Sequence, residues 1–269
     1  PDGVVANSLC VDEGGNILIA ADAGYNSEMY IYTLKSLDSE PKMLINYHTG
    51  NFYCTATGNV RVKGNIDTEA VVTAIITAEG GWVAWEAKNG AVEKDENNWS
   101  IFTAKYLSSE LPKKPGQPNW GCVAPAGSKL SDGLWFAGYD DEYKLHYCSD
   151  PANNTWTSIS QLAGAWDTNP NSISTASWNS KDYLAVLLGC HAASADTKVH
   201  LFDVTNKDEV KDLYTFSGTY LVTRAEDWTN LDWIAGGQYS DVLLVSTNDA
   251  LRIYYADLNC GIAGCVSIK

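Results

Sequence analysis

Apolar and polar positions alternate in short blocks along the whole chain, and almost none of them recur with a helical period. The clearest blocks are near-continuous apolar runs at Asn16–Asp22, Ala70–Ile76, Gly133–Tyr139, Tyr183–Gly189 and Asp241–Thr247. Runs this short and this apolar predict strands covered on both faces. Each is followed by a run rich in aromatic and β-branched residues, at Met29–Leu34, Gly81–Glu86, Lys144–Cys148, Lys198–Phe202 and Leu251–Tyr255, as strands prefer. A more polar run closes each unit, at Lys42–Tyr47, Trp99–Thr103, Asn154–Ile159, Asp212–Phe216 and Cys265–Lys269. Glycine- and Asx-rich turns separate the runs, for instance Asp12-Glu-Gly-Gly-Asn16 and Asp150-Pro-Ala-Asn-Asn154. Such residues supply positive φ or local side-chain hydrogen bonds.

The blocks belong to a repeat. Asn7, Asn59, Asn119, Asn171 and Asn230 each open the first strand-like run of a unit, at spacings of 52, 60, 52 and 59 residues. A unit of this size cannot bury its faces without neighbours. Five units of four strands predict an all-β fold, a β-propeller of five four-stranded blades forming a single domain over 1–269. The first run of each blade would line a central channel and the fourth would lie outermost. A pair of packed sheets is the competing architecture; the unbroken repeat disfavours it. The chain begins at Pro1, which leaves room for a further blade or domain upstream.

Composition narrows the partners. With 18 basic and 33 acidic residues the net charge is −15, which argues against nucleic acid and anionic membrane surfaces. Lys113-Lys114, between two prolines, reads as a solvated linker. No apolar run reaches membrane-spanning length, so direct membrane insertion is not expected. The seven cysteines are too few for a disulfide scaffold. Cys10, Cys122, Cys148 and Cys190 read as small buried hydrophobes. Cys54 falls in an interblade loop, and Cys260 and Cys265 flank Gly-Ile-Ala-Gly and would close a small ring if oxidised. There is no zinc spacing, phosphate loop, nucleophile elbow or EF-hand loop, so no cofactor, metal or catalytic residue is assigned.

Candidate binding residues gather at the strand starts. The five asparagines would ring one mouth of the channel and present amides to sugar hydroxyls, water or an ion. Alternatively, each amide caps its own tight turn. Trp120 follows Asn119, while Trp166 and Trp228 precede Asn171 and Asn230; three indoles on one rim would stack on a sugar ring or wedge between blades. Trp82, Trp85, Trp99, Trp135 and Trp156 lie within strand runs and read as packing residues. His146 and His200 occupy matching third-strand positions, where packing imposed by the repeat is preferred over a metal site. Asp232 is the one carboxylate at the inner-strand starts, with Asp167, Glu226 and Asp227 in loops nearby. Glycoside hydrolysis needs two carboxyl groups flanking the scissile bond, so blades four and five offer a glycoside hydrolase or lyase as the enzymatic alternative. A structural protein–protein interaction module is a third.

Two stretches, Leu9-Cys-Val-Asp-Glu-Gly-Gly-Asn-Ile-Leu-Ile-Ala20 and Asn59-Val-Arg-Val-Lys-Gly-Asn-Ile-Asp-Thr-Glu-Ala-Val-Val-Thr-Ala74, carry a resemblance. The chain resembles the propeller region of Bacteroidetes cell-envelope proteins of unknown function, often lipoproteins with an immunoglobulin-like domain upstream. The resemblance implies an exported protein at the cell surface or in the periplasm, with a non-catalytic binding or adhesion role toward a glycan or protein ligand. It implies no catalytic residues.

Overall fold

The computed structural model describes residues 4–22, 28–48, 60–76, 81–106, 121–140, 142–162, 168–178, 180–190, 198–217, 230–233, 242–246, 252–257 and 262–267. Among the described residues, twenty strands, β1 (Val5–Val11) to β20 (Ile262–Ser267), form five four-stranded sheets. Among the described residues the helical structure is one 3-10 turn, Leu130–Asp132. Every sheet keeps its four strands in chain order, the third running from β9 (Gly121–Pro125) to β12 (Thr155–Gln161). The paired strands for which a register is established are antiparallel. This is the all-β propeller that the repeat predicts.

The chain divides into two compact units. One holds Pro1–Pro112, Val123–Trp135 and Cys148–Trp156; the other holds the remainder. The first unit has its core between β1 (Val5–Val11), β2 (Ile17–Asp22), β3 (Glu28–Leu34) and β4 (Lys42–His48) on one side and β5 (Arg61–Asn65), β6 (Glu69–Ile76) and β7 (Gly81–Lys88) on the other. Leu18, Ile31 and Ile45 of the first sheet and Val72, Val83 and Trp85 of the second are sealed from solvent. Alternation explains this: in each strand every second residue points to the shared face. Tyr47 meets Phe102 edge-on at 4.9 Å, and Trp82 meets Trp156 edge-on at 5.9 Å.

Polar side chains join the first two sheets at the β1–β2 turn. Asp12 is 1% exposed. Its Oδ1 accepts the backbone N–H of Gly14 at 2.9 Å and of Asn16 at 2.7 Å. Its Oδ2 accepts Asn16 Nδ2 and the Ile66 N–H of the second sheet, both at 2.8 Å. Asn16 Nδ2 also reaches Asp67 Oδ2 at 3.1 Å. The oxygens of Asp12-Glu-Gly-Gly-Asn16 are therefore spent on a hairpin turn and on its neighbour.

The second sheet departs from the expected boundaries. Its fourth strand is β8 (Ala104–Tyr106), not Trp99–Thr103. Residues 94–100 instead make a small hairpin: Lys94 bridges Ser100, Asp95 Oδ1 accepts the N–H groups of Asn97 and Trp99, and Asn98 takes a positive φ of 64°. An Asx residue in the turn favours this over continuing the outer strand. The hairpin lies along β4, where Ser100 N–H donates to Asn46 O at 2.9 Å.

The second unit carries β13 (Thr168–Trp178), β14 (Lys181–Cys190), β15 (Lys198–Asp203) and β16 (Lys211–Ser217), with β17 (Asn230–Trp233), β18 (Val242–Ser246) and β19 (Arg252–Asp257) leading to β20. Ile173, Leu184, Val186, Leu187 and Val199 are fully buried. His200, in β15, is 2% exposed, stacks on Phe202 at 5.9 Å and stands 3.5 Å from Asp212. His146, in β11 (Glu142–Asp150), is buried beside Phe136 in β10 (Leu134–Asp140). Both histidines are packing residues, as the repeat suggests. No described group of His, Cys, Asp and Glu has the makings of a metal site.

Candidate functional site

Asn7 and Asn171 hold matching places in their strands. In the β1–β2 pair Ala6 faces Ala21 and Ser8 faces Ala20, so Asn7 is the extra residue of a β-bulge. In the β13–β14 pair Pro170 faces Leu188 and Ser172 faces Leu187, so Asn171 is the extra residue there. Neither asparagine opens its strand: β1 begins at Val5 and β13 at Thr168. The repeated asparagine thus marks a bulge inside the first strand of both sheets. A bulge bends the strand and re-aims side chains, which is why bulges gather beside sites. A second pair of bulges matches as well, with Leu44 extra in the β3–β4 ladder and Leu213 extra in β15–β16. The repeat therefore extends to local irregularities, which hydrophobic pattern alone does not encode.

Asn7 is exposed, and it stands in an apolar setting. On the same strand Val5 is 61% exposed and Leu9 50%. The ladder aligns Leu9 with Ile19, Ile19 with Tyr32 and Tyr32 with Met43, a row across all four strands of the first sheet. Met43 is 43% exposed, and Ile19 and Tyr32 are half-buried. The opposite face holds Cys10, Leu18, Ile31 and Ile45, all buried in the core. Tyr30 lies two residues before Tyr32, hence on the same face, and their ring centroids are 6.1 Å apart at 32°. Tyr30 Oη donates to the Glu28 carboxylate. Burial, that hydrogen bond and the Glu28 charge push the Tyr30 phenol up to about 12; burial also raises Tyr32.

This face combines two neighbouring phenol rings and a carboxylate with flanking aliphatic surface, and an exposed amide stands at the bulge of the same sheet. That set can stack on the apolar face of a sugar ring and accept hydrogen bonds from its hydroxyls. Sequence reasoning passed over Tyr30, Tyr32 and Glu28. The available signal was the alternation Glu28-Met-Tyr-Ile-Tyr32, in which both tyrosines fall opposite the fully buried Ile31.

Asn230 and Asp232 lie in β17, paired with Ser246 and Leu244, and their positions are known from the backbone. Asn59, Asn119, Trp120, Trp166 and Trp228 lie outside the described residues, as do Asp167, Glu226, Asp227, Lys113, Lys114, Cys54 and Cys260. Cys10, Cys122 and Cys148 are buried, in keeping with their reading as small hydrophobes. Of the tryptophans read as packing residues, Trp82, Trp85 and Trp135 are at most 1% exposed.

Similarity to known structures supports the architecture. A DUF4623 family protein from Bacteroides eggerthii aligns with a TM-score of 0.56 at 15% identity, covering 90% of this chain and 56% of that one. The chain thus spans little more than half the length of that relative. An α-L-arabinanase from Penicillium chrysogenum, solved with arabinobiose, aligns with a TM-score of 0.56 at 10% identity, over 98% of this chain and 80% of that one. A mutant of AofleA from Arthrobotrys oligospora gives 0.56 at 8% identity, over 99% and 73%. At such identities the likeness concerns the fold alone. No curated protein matches the sequence. Residues 2–269 match the family model DUF8500, described as a domain of unknown function, and the chain belongs to that family.

Proposed function

We propose that this protein is a non-catalytic binding propeller whose ligand is a carbohydrate. The observation that carries the reading is the solvent-facing side of the first sheet, where Tyr30 and Tyr32 lie side by side between Glu28 and the exposed Leu9, on the sheet that also bears the bulged Asn7. Aromatic faces with adjacent acceptors supply stacking and directed hydrogen bonds with little ordering cost. The loop indoles Trp120, Trp166 and Trp228, the amides Asn59, Asn119, Asn171 and Asn230, and Asp232 belong to the same proposal as further ligand contacts. An exported location, at the cell surface or in the periplasm, belongs to it too.

A broad glycan array tests the proposal. The protein should retain at least one oligosaccharide, and Tyr32→Ala and Asn7→Ala should each weaken that binding with the fold intact by circular dichroism. Silence across the array, or binding indifferent to both changes, refutes the site. Cleavage of a bound oligosaccharide, abolished by Asp232→Asn, would replace binding with hydrolysis.

A further inference from the structure

The outer face of the first sheet continues past Tyr30. Glu28, Tyr30 and Tyr32 take alternate positions of β3, opposite the buried Met29 and Ile31, and so share one side of the sheet. The ladder sets Glu28 directly across from His48 at the end of β4, and directly opposed residues present their side chains on the same side. His48 is exposed, and its ring lies 5.3 Å from that of Trp99 at a tilt of 52°. Trp99, half-buried, belongs to the 94–100 hairpin. Asp95 Oδ1 accepts the Trp99 N–H at 2.8 Å, and Ser100 N–H donates to Asn46 O in β4 at 2.9 Å. The turn and the strand thus hold the backbone on both sides of the indole.

Two aromatic pairs therefore meet at one carboxylate. Tyr32 and Tyr30 approach Glu28 along β3, while His48 and Trp99 lie across the ladder from it. Tyr32 is four residues from Glu28, about 13 Å along the strand, and His48 is one strand spacing away, about 5 Å. A single pyranose ring cannot stack on both Tyr32 and Trp99. We propose that this face takes a linear, uncharged oligosaccharide of two or more units, with His48 and Trp99 as a second stacking subsite. The inference rests on the carbohydrate reading of Tyr30 and Tyr32 given above.

The polar groups suit such a chain. Glu28 accepts the Tyr30 hydroxyl, and a carboxylate keeps further lone pairs for a sugar hydroxyl between the subsites. Asn46, opposite Tyr30 on the ladder, holds the Lys94 amine together with Ser100. One negative and one positive group thus stand at this end of the face, which favours a ligand without charge. The net charge of −15 also repels polyanionic glycans.

The test applies the full chain to an array of gluco-, manno-, xylo-, arabino- and N-acetylchito-oligosaccharides of graded length, from the monosaccharide upward, with oligogalacturonates as the acidic series. Retention should rise several-fold from monosaccharide to trisaccharide in at least one neutral series, and the oligogalacturonates should not be retained. Trp99→Ala and His48→Ala should each remove most of that rise and leave the shorter ligand bound through Tyr32, whereas Trp99→Phe should preserve it. Retention independent of length, preference for oligogalacturonates, or a rise indifferent to both alanine changes would overturn the second subsite and leave the first standing. Silence across the array, or retention indifferent to Tyr32→Ala, would overturn the carbohydrate reading and this inference with it. The length series of the unaltered chain decides the matter even where Trp99→Ala does not fold.

Discussion

Replacing Asp12 by alanine should destabilise the first unit by about 4 kcal/mol. The carboxylate is 1% exposed and accepts four hydrogen bonds, three of them from backbone N–H groups. Two of those N–H groups, at Asn16 and Ile66, lie in buried contacts, and alanine offers them nothing. Each buried donor left unsatisfied costs about 1–3 kcal/mol, so two together account for most of the expected loss. Asn16 Nδ2 suffers less, because it keeps Asp67 Oδ2 at 3.1 Å. Asp12→Asn keeps the Oδ1 acceptor but turns an NH₂ toward the Ile66 N–H, and should cost about half as much, roughly 2 kcal/mol. Urea unfolding followed by tryptophan fluorescence reads the loss, since Trp82 and Trp85 are buried in the adjoining sheet. Amide exchange at Ile66 reports the same bond locally. A loss below about 1 kcal/mol for alanine, with Ile66 exchange unaltered, would refute the reasoning and make the turn independent of the second sheet.

Two further outcomes follow from local geometry. Gly64 has φ +91°, and a Cβ there would stand 2.5 Å from Glu69 O and 2.6 Å from Ser128 Cβ, so Gly64→Ala should cost about 3 kcal/mol or more in the same unfolding assay; a neutral result would show that the strand relaxes freely. Tyr30, held neutral chiefly by burial and then by Glu28, should titrate near 12 in a phenolate absorbance experiment, and Glu28→Gln should bring it down. Because that folded value lies above the unfolded value of about 10, the Tyr30 contribution to stability is complete below pH 10 and fades as pH rises through about 12; ionisation at the ordinary tyrosine value would contradict the contact.

Much of the fold was legible because the repeat and the strand period are both written in hydrophobic order. The predicted run Ala70–Ile76 became β6 (Glu69–Ile76), and Asn16–Asp22 became β2 (Ile17–Asp22). These strands are covered on at least one face, so their apolar content is a direct consequence of burial. The outer strand of the second sheet was misplaced for an equally physical reason. Trp99-Ser-Ile-Phe-Thr103 has strand composition, yet Asp95 and Asn98 organise a hairpin that uses Trp99 and Ser100 against β4. Side-chain hydrogen bonds in a turn override propensity in a short outer segment.

The candidate site was legible only in part, and the reason lies in register. Asparagine recurrence singled out Asn7 and Asn171, but as strand openers; their common role as bulge residues depends on one extra residue against a partner strand, which pattern does not display. Tyr30 and Tyr32 were visible as aromatic strand residues, and in a fold whose blades are expected to be covered on both sides that composition reads as core. What separates them from Ile31 is a single step along the strand, since one step reverses the face. Ile31 is fully buried while Tyr32 continues a row whose ends, Leu9 and Met43, are 50% and 43% exposed. The same alternation that builds the core of the first unit therefore builds the surface proposed to bind ligand. A substitution can consequently separate the two: Tyr32→Ala alters the outer face alone, whereas changes at Ile31 or Leu18 strike the packing between sheets. If ligand binding were lost on Ile31→Val but kept on Tyr32→Ala, the site would belong to the sheet interior, and the reading of this face would fail.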